Sequence, residues 1–89
     1  MNYQKFDTAL SMELNQVENP NENCLVVFIH TKPIIDSVAK KFLKSLGISN
    51  ITDEVKVYTA TISLNILSEL SEKSWVDYLK LSQRLHLFG

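Results

Sequence analysis

The sequence predicts an α+β domain: a four-stranded antiparallel sheet with two helices on one face, and an extra helix ahead of it. Three observations carry that reading. Residues 25–29, Leu-Val-Val-Phe-Ile, are an apolar, β-branched run of strand length. In the stretch from Val55 to Ile62, the residues Tyr58, Ala60 and Ile62 alternate with Val57, Thr59 and Thr61, the two-residue period of a pleated strand. Each of these runs is followed by residues whose apolar positions recur at helical spacing, so strands and helices alternate along the chain.

Taken in order, Phe6, Ala9, Leu10, Leu14 and Val17 predict an amphipathic helix over residues 6–17, with Asp7 placed where a carboxylate favours the helix dipole. Asn19-Pro20 ends it, because a residue before proline is pushed out of the helical region. Residues 1–23 therefore divide off as helix and linker from a unit spanning 24–89. Cys24–His30 is apolar at almost every position. A strand apolar on both sides belongs at the centre of a sheet covered on both sides, so something is expected to lie over its second face, either the N-terminal helix or a partner.

Thr31-Lys32-Pro33 reads as a helix start, and Ile34, Ile35, Val38, Ala39, Phe42, Leu43 and Leu46 mark the inner face of that helix. Lys40, Lys41 and Lys44 fall in its second half, where cations complement the dipole. They read first as a solvated face, with an anion site as the functional alternative. Gly47 suits a left-handed cap. Ile48–Thr52 is a short strand candidate, turned at Asp53-Glu54 into Val55–Ile62. Ser63 can cap the next helix, with Ile66, Leu67 and Leu70 inward and Glu69 spaced to pair with Lys73. Trp75 and Val76 lead into a last strand, Tyr78–Ser82, and residues 83–89 form a tail. The order after the first helix is β-α-β-β-α-β, the split βαβ arrangement of ferredoxin-like domains.

Composition narrows the function. Nine basic and ten acidic residues leave a net charge of −1, which argues against nucleic acid or a membrane surface as partner. The chain has one cysteine, Cys24, so neither an internal disulfide nor a cysteine metal cluster can be built from it. With no apolar run behind a basic start and none of membrane-spanning length, a cytoplasmic protein is expected. His30 and His86 stand without a neighbouring motif that would make either a general base. Without a phosphate-binding, dinucleotide-binding or metal-ligating pattern, the expectation is a protein that is not an enzyme and needs no cofactor or metal.

Ala60-Thr61-Ile62-Ser63, then Leu67, Glu69-Leu70, Val76, Tyr78 and Leu79, resemble the closing half of subtilase propeptides. In that family an Ala-Thr-Leu-Asn sequence precedes a helix containing Glu-Leu, and Val-x-Tyr-Val follows. The spacing here matches without a gap. The resemblance extends over about residues 22–88 and leaves the N-terminal helix outside it. It implies an inhibitor of a subtilisin-like serine protease, and of the free-standing kind, since no catalytic domain follows Gly89. By position, the sheet's open face would pack on the protease through Val57, Thr59, Lys80 and Ser82. The tail would lie in the active-site cleft as an added strand, with Phe88 in the primary specificity pocket, preceded by Leu87, His86 and Leu85. The chain departs from the family at Lys80, Leu81 and Ser82, where propeptides carry acidic residues that cap helices of the protease. It also departs at Gly89, past the family's cleavage position. The alternative is a non-inhibitory interaction module of the same fold, an adaptor or a homodimer, for which an uncovered apolar face is equally suited.

Overall fold

The computed structural model describes residues 1–85 of the chain. Along it run α1 (Thr8–Glu13), β1 (Leu25–Thr31), α2 (Ser37–Ser45), β2 (Val57–Ile62), α3 (Leu64–Ser71) and β3 (Val76–Arg84), with single 3-10 turns at Tyr3–Lys5 and Leu14–Gln16 on either side of α1. Local chemistry sets the helix ends. Asp7, Asp36 and Ser63 each accept a hydrogen bond from the backbone N–H three residues on, at 3.0, 2.8 and 3.2 Å, and so cap α1, α2 and α3. At the far end of α2, Gly47 takes φ +86°. Its N–H donates to Lys44 O, and that of Ile48 donates to Leu43 O, the paired bonds of a Schellman cap.

The sheet has the order β2-β1-β3, and β1 is antiparallel to both neighbours. β2 and β3 therefore run parallel to one another, linked through α3, with β1 inserted between them. Register puts Leu25, Val27 and Ile29 opposite Ile62, Ala60 and Tyr58, and Ile29 opposite Leu79 on the other side. All of these are buried. They meet Ile35, Ala39 and Leu43 around α2, Leu67 and Leu70 of α3, and Phe6 and Leu10 of the N-terminal segment in one core. Each fully buried aliphatic side chain there contributes roughly 1.5–3 kcal/mol. Phe6 and Leu10, from the stretch ahead of β1, thus share the core of the sheet and helices.

Two expectations are corrected, and one pair of alternatives is narrowed. The sheet has three strands and not four among the described residues, because 48–52 is irregular. Asn50 sits at φ +59°, outside extended geometry. Ile48 and Ile51 both pack on the core, whereas residues three apart on a strand point to opposite faces. Second, α2 begins at Ser37 under the Asp36 cap, not at Pro33, and its buried stripe is the narrower Ala39–Leu43 line. Ile34 and Val38 are consequently exposed, at 80% and 72%. The second face of β1, whose residues are buried alternately, is covered by no described element. Of the two covers expected for it, the N-terminal helix is not the one, because α1 lies along the outer edge of β3. Phe6 forms a one-residue parallel bridge to Leu79, and Asp7 N–H donates to Leu79 O at 3.1 Å.

Candidate functional site

Strand alternation builds the uncovered face. Every side chain of β1 that does not enter the core (Val26, Phe28 and His30) projects to the opposite side and is half-buried between its neighbours. Register places Thr61, Thr59 and Val57 beside them on β2, and Gln83, Lys80 and Tyr78 beside them on β3. The three β2 residues are exposed, Val57 at 45%. His30 and Tyr78 meet edge to face with ring centroids 5.4 Å apart, which sets a small aromatic ridge at one end of the face. Beyond it, at the margin, Lys32 and Asp77 form an exposed ion pair at 2.6 Å. The middle of the surface is thus apolar and hydroxylated, with the ammonium of Lys80 opposite Phe28.

Three of the residues expected to form the sheet-face interface, Val57, Thr59 and Lys80, come together on this one surface. The fourth, Ser82, is exposed and has no partner on β1, because Val27 faces Leu81 while Val26 faces Gln83. Of the expected tail, Leu85 is half-buried and its N–H donates to Cys24 O at 2.7 Å, which carries the β1–β3 pairing one step further. His86, Leu87 and Phe88 lie outside the described residues. Sequence reasoning missed Val26, Phe28, His30 and Tyr78 as members of this surface. The alternation of β2 was the available signal, since it names the exposed side of the strand that β1 must pair with.

The outer edge of β2 adjoins the same face. Thr31 N–H donates to Lys56 O at 2.8 Å, so the even-numbered residues of β2 direct their backbone groups at β1. Those of Val57, Thr59 and Thr61 point outward, and no other described strand pairs with them.

A second feature lies on the helical side. Between α2 and the 48–51 loop is a pocket of about 490 Å³. Ile48 and Ile51 line it, together with Lys40, Lys41, Lys44 and Asn50. Lys40 pairs with Asp53 at 3.3 Å. Cys24 is free and buried. Among the described residues, no group of three or more His, Cys, Asp or Glu is placed to hold a metal ion, and no helix is long and apolar enough to cross a membrane. Comparison of the chain with protein-family models, with curated proteins and with solved structures gives no match.

Proposed function

We propose that this chain is a protein-binding module that docks through the open face of its sheet, and that its partner is a subtilisin-like serine protease which it inhibits. The observation that carries the reading is that the N-terminal segment packs along β3, and no described element covers the Val26–Phe28–His30 face. Had Phe6, Leu10 and Leu14 lain across that face, the surface such an inhibitor needs would be filled. The strand order β2-β1-β3, with β2 and β3 joined through α3 around β1, supports a ferredoxin-like fold that lacks one edge strand. On this reading the residues after Leu85 enter the protease cleft as an added strand, with Phe88 in the specificity pocket. The proposal includes a cytoplasmic setting, in keeping with the free thiol of Cys24.

The test is inhibition of a subtilisin by the full chain and by a chain ended after Leu85. That end point keeps both the Leu85–Cys24 hydrogen bond and the Arg84–Glu13 ion pair, so the fold is retained. Inhibition by the full chain, lost on shortening, is the expected result. A folded, undigested chain that does not inhibit at about a hundred micromolar, where binding energy is only some 5–6 kcal/mol, would overturn the inhibitory reading.

A second reading, a homodimer, is favoured by the edge of β2. Edge strands that stay single are usually guarded by charge or proline, yet Val57–Ile62 carries neither. Two copies pairing β2 to β2 about a twofold axis would continue the sheet to six strands. Sedimentation velocity across a concentration series distinguishes this from a monomer.

A further inference from the structure

We propose that the pocket between α2 and the 48–51 loop is a binding site for a phosphomonoester with a small apolar body. Its volume of about 490 Å³ lies within the span of roughly 300–1,000 Å³ usual for small-molecule sites. The two halves of the ligand follow from the two kinds of wall. Ile48 and Ile51 are half-buried, packed against the core on one side and open to the pocket on the other. The rim is cationic. Lys40, Lys41 and Lys44 follow one another at i, i+1 and i+4 on α2, close enough on the helix surface to share one side.

Charge accounting selects the anion. Lys40 is matched by Asp53, but no described carboxylate pairs with Lys41 or Lys44. In a chain of net charge −1, two unmatched ammonium groups beside one pocket are a local excess that a dianion would neutralise. A phosphomonoester carries about −1.5 to −2 charges at neutral pH and presents three acceptor oxygens. A monocarboxylate would leave one lysine unmatched. Asn50, held in the left-handed region at φ +59°, brings an amide to the same rim. The dipole of α2 accounts for lysines near its C-terminal end. Ile48 and Ile51 are held there by their seating on the core, and the sides they leave open to the pocket, beside unmatched cations, pair an apolar wall with a charged rim, the complement of an amphiphilic anion.

This site is independent of the sheet face and of the function proposed for it. The test is a 15N–1H NMR titration of the full chain with phenyl phosphate, inorganic phosphate and phenol, and co-sedimentation with phosphatidylcholine vesicles with and without phosphatidic acid. Phenyl phosphate should shift residues 37–51 and bind at least about tenfold more tightly than inorganic phosphate or phenol, because only it uses both walls. The double variant Lys41→Gln/Lys44→Gln should weaken binding at least about tenfold without changing the melting temperature, since both side chains are exposed. Lys32→Gln, at the far margin of the sheet, should leave it unchanged. Binding to phosphatidic acid vesicles alone, lost in the double variant, would assign the phosphomonoester to a lipid headgroup. Equal affinity for inorganic phosphate, no effect of the double variant, or no binding in either arm would overturn the proposal.

Discussion

The backbone N–H of Leu81 donates to Oδ1 of Asp7 at 3.2 Å, across 74 positions of sequence. The same carboxylate oxygen accepts the N–H of Leu10 at 3.0 Å and so starts α1. One side chain therefore caps a helix and satisfies the outer edge of β3, which would otherwise present unpaired donors to any passing strand. The consequence is an asymmetric sheet: the β3 edge is partnered at Leu79 and Leu81 from within the chain, whereas no described strand pairs with the outer edge of β2.

Replacing Asp7 with alanine should cost about 2 kcal/mol, since a helix cap and a sheet-edge hydrogen bond disappear together. Asp7→Asn keeps an acceptor oxygen at the same place and should cost less than half as much. Urea denaturation of the two variants, with unchanged m-values, checks both.

Phe28 and Ile29 are neighbours on β1 that face opposite sides of the sheet. Ile29 is fully buried, so Ile29→Ala should destabilise by roughly 2–5 kcal/mol. Phe28 is half-buried on the open face, and Phe28→Ala should cost no more than about 1 kcal/mol. Thermal melts showing the reverse order would mean that the two faces are assigned the wrong way round.

Gly47 lies at φ +86°, and a methyl group added there would meet nothing within 4 Å. Gly47→Ala therefore isolates backbone strain from any clash, and the expected loss is about 1 kcal/mol. A loss several times larger, by denaturant titration, would require a packing contact that the structure does not contain.

Lys80 occupies the centre of the open face, opposite Phe28. If a protease docks there and offers helix N-termini, the ammonium is repelled where a carboxylate would be attracted. Lys80→Glu removes a repulsion and adds an attraction, so it should then tighten inhibition about three- to thirtyfold, twice roughly 0.3–1 kcal/mol per charge at a helix end. Inhibition constants for the two proteins in low salt are the measurement, and weaker inhibition by the variant would count against that docking geometry.

Much of the local structure was legible in the sequence. Ser63 as the cap of α3 and Gly47 as the left-handed cap of α2 follow from hydrogen bonds that close within five residues, and so needed no knowledge of the rest of the fold. The alternation of Val57–Ile62 told which side of β2 is buried, for the same reason. The helix-start signal at Pro33 competes in the sequence with Asp36, which stands three residues before Ala39 and is the cap that forms.

What composition could not separate was burial from mere hydrophobicity. Val26 and Phe28 are as apolar as Val27 and Ile29, so β1 read as a strand buried on both sides. The tertiary structure gives only one of those sides a layer of helices, and the other is shielded sideways by the adjoining strands. Ile48–Thr52 looked like a strand because its residues suit one. Its backbone instead follows the Schellman cap and the seating of Ile48 and Ile51 on the core.

The sequence by itself determined the caps at Ser63 and Gly47, the faces of β2 and the alternation of strand and helix. Tertiary structure alone decided the number of strands, which edge the N-terminal segment closes and which face stays open. The division has a physical basis. A cap or an alternating strand is specified by interactions among near neighbours, whereas an edge is settled by competition between segments such as Asp7 and Leu81, whose meeting is not encoded in either stretch alone.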